Sequence, residues 1–164
     1  MAVQRRRRRR APKVIIALVV ILFVSVIMAG AMSGWFDGPR PKLSSKYYGD
    51  TAEFIEMMGP DYDELIASGE TALIFIDQNG CTTADRVREF SMNLMNEKGI
   101  NVYKMMFTDV KNSTLHDYVK YYPSFVVVSE GEVKTFLRAD HDEDADMYNE
   151  YEAFLRWVER NVEI

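Results

Sequence analysis

Three continuous apolar runs along the chain predict buried β-strands. They span residues 71–77, 100–108 and 124–129. Runs of this length with few polar interruptions are typical of strands that are covered on both faces of a sheet. Residues 130–132, Glu-Gly-Glu, follow the third run and lead to a further apolar stretch at 133–138. A glycine-containing turn between two such stretches predicts a β-hairpin.

The segments between these runs carry apolar residues at helical spacing. In residues 82–98 the apolar positions fall three and four apart, and Gly99 ends the pattern. Shorter helices are predicted at 61–68 and 113–120, and an amphipathic helix at 147–162. Residues 53–58 fit either a short strand or a helical turn, because their periodicity does not decide between the two.

The predicted order is strand, helix, strand, helix, strand, strand, helix. Strands that alternate with helices indicate right-handed crossover connections and a parallel sheet. The final hairpin adds an antiparallel edge to that sheet. The pattern therefore predicts an α/β domain with a mixed sheet.

Ahead of this domain lies an uncharged apolar segment, residues 14–32. Its nineteen residues would form a helix of about the ~30 Å thickness of the hydrocarbon core, so we predict a transmembrane helix. Residues 1–13 contain Arg5 to Arg10 and Lys13. Positive residues next to an apolar helix favour the cytoplasmic side, so residues 1–13 are predicted to be a basic cytoplasmic arm. Residues 33–49 are interpreted as a linker, and residues 50–164 as an extracytoplasmic domain on a single-pass membrane anchor.

A cleavable signal peptide is the alternative interpretation of the N-terminus. Ala29-Gly30-Ala31 has the small-residue pattern of a cleavage site after an apolar segment. The apolar segment is longer than most signal-peptide cores, which favours a retained anchor. Both interpretations place the domain outside the cytoplasm.

The charge distribution argues against a nucleic-acid partner. Of the 20 Lys and Arg, seven lie in residues 1–13, which leaves 13 to balance 25 Asp and Glu and gives the rest of the chain a formal charge of −12. Nucleic-acid affinity comes mainly from clustered Lys and Arg on the binding surface. The expected partners are the membrane, through the anchor, and a protein or a thiol substrate.

The only cysteine, Cys81, lies between a predicted strand and a predicted helix. Backbone N–H groups and the dipole at a helix N-terminus favour a thiolate, which is the reactive form of the side chain. Cys81 is therefore the candidate nucleophile. A lone cysteine is also often a small buried apolar residue without reactivity, and the sequence leaves both interpretations open.

A second motif carries a family resemblance. Residues 121–128, Tyr-Tyr-Pro-Ser-Phe-Val-Val-Val, precede the hairpin, and together with the cysteine after an early strand they resemble the thioredoxin superfamily. The resemblance implies a thioredoxin-like fold, with a mixed central sheet flanked by helices. It also implies a cis peptide bond before Pro123, which would lie against Cys81. Thr82, Thr83, Tyr122 and Pro123 would then form the substrate or partner groove.

The candidate active site departs from the family pattern at its second cysteine. The family's Cys-x-x-Cys pair is replaced by Cys81-Thr82-Thr83-Ala84. A dithiol protein resolves a mixed disulfide with its second thiol, so ordinary dithiol turnover is not expected here. By counting along the strand, Phe75 replaces the buried acidic residue of thioredoxin, and Asp77 is two positions away. One hypothesis is monothiol exchange through Cys81; the other is a redox-inactive adaptor domain, and a purely structural role is a weaker third.

No metal site or cofactor is expected. The acidic stretch at residues 140–146 superficially resembles a calcium loop, but Ala145 and Tyr151 occupy the positions that need Gly and Glu. We interpret it as a solvated loop that precedes the last helix. His116 and His141 are too isolated to predict zinc.

Overall fold

The computed structural model describes residues 20–21, 39–49 and 51–164. The folded unit spans Arg40–Ile164. Its strands are β1 (Phe54–Met57), β2 (Ala72–Asp77), β3 (Val102–Met106), β4 (Ser124–Ser129) and β5 (Glu132–Phe136). Its α-helices are α1 (Gly59–Ser68), α2 (Thr82–Lys98), α3 (Phe107–Val110), α4 (Ala145–Asn149) and α5 (Tyr151–Asn161). Short 3₁₀ helices lie at Ser45–Tyr47, Thr114–Asp117 and Asp142–Asp144.

The five strands form one mixed sheet in the order β1-β3-β2-β4-β5. β3 pairs in parallel with both β1 and β2. β4 pairs antiparallel with β2, and Ile76 lies opposite Ser124 in that register. β5 completes the predicted hairpin with β4. The central strands β2 and β4 are buried along their whole length, as their continuous apolar runs predict.

Helices cover both faces of this sheet. Phe125 of β4 contacts Phe154 of α5 with ring centroids 4.9 Å apart, and Asp77 of β2 pairs with Arg88 of α2, so these two helices lie on one face. On the other face, Ile55 and Tyr103 line a cavity together with residues of α1. The predicted α/β class is confirmed, and residues 53–58 supply its first strand.

The segment 40–49 belongs to the domain, although the sequence assigns it to the linker 33–49. Leu43 and Tyr47 are each only 2% exposed and form part of the core. The backbone N–H of Leu43 donates to the carbonyl of Glu163 at 2.9 Å, and the N–H of Asn101 donates to the carbonyl of Tyr47 at 2.7 Å. The folded unit therefore begins at Arg40, ahead of the predicted boundary at residue 50. Leu43 and the neighbouring Tyr47 and Tyr48, among Pro, Lys and Ser, are too few for a periodic signal.

Three predicted helices have different bounds in the structure. α1 begins at Gly59, because Pro60 fits the first helical turn and Asp61 accepts a hydrogen bond from the N–H of Met58 at 2.8 Å. The predicted helix 113–120 is a single 3₁₀ turn. The predicted helix 147–162 is two helices, since Glu150 has extended backbone angles between α4 and α5.

The N-terminal predictions concern residues that lie almost entirely outside the described ranges. The basic arm 1–13 and the proposed cleavage site at Ala29-Gly30-Ala31 lie outside the described residues, as does the transmembrane segment 14–32 apart from Val20 and Ile21. Among the residues that are described, no helix combines the length and the apolar character needed to cross a bilayer.

Candidate functional site

Cys81 is the N-cap residue of α2, directly after the loop that follows β2. Its backbone is extended, with φ −108° and ψ 119°. Its carbonyl accepts the first helical hydrogen bond from the N–H of Asp85 at 3.0 Å. Gly80, with φ +75°, makes the turn into the helix, a conformation that side chains disfavour. The thiol is free and half-buried, so it is neither a core residue nor fully exposed.

The residues after Cys81 form the first turn of a helix of seventeen residues. Thr82 is exposed and Thr83 is half-buried. Ala84, at the position of the family's second cysteine, is fully buried at 0% exposure. The unpaired N–H groups of this first turn and the helix dipole favour negative charge next to Cys81.

Pro123 and Tyr122 lie at the same end of the sheet as the Cys81 loop. The Tyr122–Pro123 peptide bond is cis, which confirms that prediction. Pro123 directly precedes Ser124, and Ser124 pairs with Ile76 near the end of β2. The half-buried Tyr122 ring packs on Phe107 at 5.8 Å between centroids, and burial raises the pKa of Tyr122.

An ion pair that the sequence did not predict lies at the end of β2, next to the loop that leads to Cys81. Asp77, the last residue of β2, is 2% exposed. Arg88 of α2 binds both of its carboxylate oxygens, with Nη2 at 2.7 Å from Oδ1 and Nε at 3.0 Å from Oδ2. Phe75 and Asp77 lie two apart on a strand, so they share the sheet face that α2 covers. Asp77, which lies two positions from the buried acidic residue expected from the resemblance, is therefore on the face that α2 covers. Its carboxylate is paired with Arg88.

Tyr148 of α4 is a second residue that sequence reasoning missed. Its side chain is buried, and its hydroxyl donates to the carbonyl of Pro123 at 3.0 Å. Its own carbonyl accepts a hydrogen bond from Nη1 of Arg86 on α2 at 3.2 Å. Burial raises the pKa of Tyr148, so the hydroxyl stays protonated and remains a donor. The sequence marks Tyr148 only as an apolar residue within the predicted helix 147–162.

The acidic stretch borders a cavity beside Thr83. This cavity of about 300 Å³ is lined by Thr83, by residues of α4 including Tyr148, and by the loop at residues 139–142. The prediction of a solvated stretch agrees with the exposed positions of Asp140, Asp142, Glu143 and Asp146. Asp144 is the exception, because it is only 8% exposed and accepts a hydrogen bond from the N–H of Arg138 at 2.7 Å. The carboxylate of Asp144 thereby joins the two ends of the loop between β5 and α4. Within the described ranges, no group of three or more His, Cys, Asp and Glu side chains is placed to hold a metal ion.

Two features identify the fold. The sheet order places β4 antiparallel to both of its neighbours, and helices cover both faces of the sheet. The domain has a thioredoxin-like fold. The site lies where β2 and β4 meet the start of α2.

Comparison with known protein families and with curated proteins finds no match for this chain. Among solved structures, a mutant thioredoxin from Halobacterium salinarum is similar to this chain at 17% identity and a TM-score of 0.48. The match covers 71% of this chain and 98% of that thioredoxin. The oxidised thioredoxin of Plasmodium falciparum is similar at 15% identity and a TM-score of 0.46, with 62% and 98% covered. Mitochondrial thioredoxin 3 from Saccharomyces cerevisiae is similar at 13% identity and a TM-score of 0.47, with 65% and 94% covered.

Proposed function

We propose that this chain is a membrane-anchored thioredoxin-like protein whose extracytoplasmic domain performs monothiol–disulfide exchange through Cys81. The observation that carries the proposal is the position of the thiol. Cys81 is free, half-buried and at the N-terminus of α2, at the end of the sheet where Pro123 precedes β4. A thioredoxin-like fold is compatible with thiol chemistry at this corner.

In the proposed reaction, the Cys81 thiolate attacks one sulfur of a substrate disulfide. A new bond forms between Sγ and that sulfur, the substrate S–S bond breaks, and the second substrate sulfur leaves as a thiolate. The proton lost by Cys81 passes to water or to the leaving thiolate. Cys81 is thereby oxidised and the leaving sulfur is reduced, so the substrate disulfide is itself the oxidant.

The mixed disulfide is released by an outside thiol. Ala84 has no sulfur to attack the intermediate, and the chain contains no second cysteine. An external thiol, such as glutathione or a cysteine of another protein, therefore completes the exchange. Thr82, Thr83, Tyr122 and Pro123 form the proposed groove that receives the polypeptide next to the substrate disulfide.

Trapping and alkylation of the full-length chain in detergent test this function. The first measurement is the rate at which Cys81 forms a mixed disulfide with glutathione disulfide, followed by mass spectrometry. The second is the iodoacetamide rate of the folded protein compared with that of the urea-unfolded protein at the same pH. An active site predicts a faster rate in the folded state, whereas a folded rate far below the unfolded one would refute an activated thiolate.

The second candidate is a redox-inactive adaptor that uses the same groove to hold a membrane or envelope partner. The buried Ala84 favours it, because the family's resolving residue is absent. Pull-down with the wild type and Cys81→Ser, with and without reductant, distinguishes the two. Capture that survives in Cys81→Ser supports the adaptor, while capture that is lost in this variant and by reductant supports a covalent partner.

A further inference from the structure

Tyr148 joins three segments around the candidate site. It lies on α4, its hydroxyl reaches the carbonyl of Pro123, and its own carbonyl accepts from Arg86 of α2. Arg86 also bonds the side chain of the next residue, Asn149. α4 is therefore attached both to the segment before β4 and to the helix that begins at Cys81.

The hydroxyl of Tyr148 has one proton to donate, and it is directed to Pro123. Tyr148 is only 6% exposed, so its hydroxyl has little access to solvent. A buried hydroxyl that loses its partner leaves that partner unsatisfied as well, which makes such a bond costly to break. The bond thus limits the positions that the Pro123 segment can adopt relative to α4.

Tyr148 also forms part of the wall of the cavity that borders Thr83. Tyr148 and Thr83 line the same cavity, and Thr83 is two residues from Cys81. In the proposed groove, which includes Thr83 and Pro123, a peptide bound at Cys81 would contact one residue of this cavity wall and the segment that Tyr148 holds. A small reagent needs only access to the sulfur and does not depend on the groove.

We infer that Tyr148 is a positioning residue for the proposed exchange: through Pro123 it sets the groove that aligns a peptide disulfide with Cys81. It contacts neither the sulfur nor the reacting bond. The inference rests on the proposed function and assigns a role to Tyr148 in how that site receives its substrate.

The test compares two reagents on the full-length chain in detergent. One is a cysteine peptide capped with thionitrobenzoate, whose release is followed by absorbance; the other is iodoacetamide. Tyr148→Phe removes only the hydroxyl. The matched control is Tyr47→Phe, because Tyr47 is also buried and its hydroxyl bonds Glu70 at 3.1 Å and Tyr103 at 3.3 Å, on another part of the domain.

We expect Tyr148→Phe to slow the peptide reaction about three- to tenfold, the rate equivalent of one hydrogen bond, and to leave the iodoacetamide rate unchanged. Tyr47→Phe should change neither rate. An unchanged peptide rate in Tyr148→Phe overturns the inference, and so does an equal change in both rates, which would indicate a general loss of structure. A wild-type chain that reacts with neither reagent instead overturns the proposed function.

Arg86→Gln provides the second variant if Tyr148→Phe does not fold. It removes the bond from α2 to the carbonyl of Tyr148 while keeping the phenol. Because α4 then loses this attachment to α2, Tyr148 no longer holds the Pro123 segment in a fixed position, and the inference predicts a selective loss of the peptide reaction. An unchanged peptide rate, or equal effects on both reagents, contradicts it.

Discussion

The carboxylate of Asp77 is held by the guanidinium of Arg88, with 2.7 Å between Oδ1 and Nη2 and 2.9 Å between Oδ2 and the same nitrogen. Arg88 also pairs with Asp85 at 2.7 Å. These contacts tie the end of β2 to the second turn of α2, across the loop that leads to Cys81. The ion pair thus fixes the corner on which the candidate thiol lies.

Replacing Arg88 with Met should destabilise the domain, because it leaves the Asp77 carboxylate buried without a partner. We expect a loss of about 2 kcal/mol in the free energy of unfolding, less than a fully buried pair gives, because the Arg88 side chain is 30% exposed. Urea denaturation measures the loss. Asp85→Asn is the control, and because that carboxylate is 60% exposed it should cost at most about 0.5 kcal/mol. If Arg88→Met and Asp85→Asn lowered the free energy of unfolding equally, the pairing of Arg88 with the buried Asp77 carboxylate would not be the source of this stability.

Glu70 should make stability depend on acid pH. Its hydrogen bond with Lys46, and a second one from Tyr47, hold the pKa of Glu70 below its ordinary value of 4.5. A carboxylate with a lowered folded-state pKa adds stability above its unfolded pKa, and this contribution is lost as the pH falls through the folded-state value. Glu70→Gln should therefore lower the free energy of unfolding by about 0.5–1 kcal/mol at neutral pH, as expected for a surface pair.

The difference between the wild type and Glu70→Gln should shrink as the pH falls below 4.5. Urea denaturation over a pH series measures it. Glu64→Gln, at an exposed position of α1, is the comparison. A difference that stays constant at acid pH would exclude the ionised carboxylate as its cause.

Gly59→Ala should be strongly unfavourable, because the first residue of α1 lies against the backbone of Asn112. An added Cβ would be 2.6 Å from the carbonyl oxygen of Asn112. We expect a loss of about 1–3 kcal/mol in the free energy of unfolding from this overpacking. At Gly49 the nearest atom is the side-chain nitrogen of Asn101 at 3.4 Å, so Gly49→Ala should be much milder. Thermal unfolding of both variants measures the two losses in stability.

Ala84→Cys should convert the proposed monothiol site into a dithiol site. Residues three apart at a helix start are about 5–6 Å from each other, which suits a disulfide. We expect the oxidised variant to lose both free thiols in a thiol titration and its glutathione adduct to resolve without added thiol. Ala84→Ser controls for the added volume at this fully buried position. A stable glutathione adduct in Ala84→Cys would show that the two side chains do not meet.

Labelling of Cys81 in intact cells tests the proposed membrane topology. Because Cys81 is the only cysteine, a membrane-impermeant maleimide reports one position. An extracytoplasmic domain predicts labelling in intact cells, and Cys81→Ser gives the background. Glu132→Cys in the Cys81→Ser chain supplies an exposed thiol for comparison. Labelling of Glu132→Cys only after lysis would place the domain inside the cell.

The buried elements could be predicted because their signals are local. β2 and β4 are continuous apolar runs, and α2 has apolar residues at helical spacing up to its terminating glycine, so burial and periodicity mark them directly. Helix ends were less predictable. Glu150 interrupts the last predicted helix with extended backbone angles, although the apolar spacing continues across it.

The candidate site could be predicted only in part, because its supporting contacts join distant positions. Cys81 and Pro123 are marked by their residue types and by what precedes and follows them. The bond from Tyr148 to Pro123 spans 25 positions and the pair of Asp77 with Arg88 spans 11. Neither pair has a local pattern in the sequence. A buried polar group needs a hydrogen-bond partner, but the neighbouring residues do not show which distant residue that partner is.

The sequence by itself determined the α/β class, the lone thiol at a helix start and the proline before β4, because each follows from residue type and short-range periodicity. Only the tertiary structure decided that residues 40–49 belong to the core, that Asp77 is neutralised by Arg88, and that α4 holds the Pro123 segment. The physical reason is that burial and hydrogen-bond satisfaction depend on which chain segments meet, and the sheet order β1-β3-β2-β4-β5 brings these segments together.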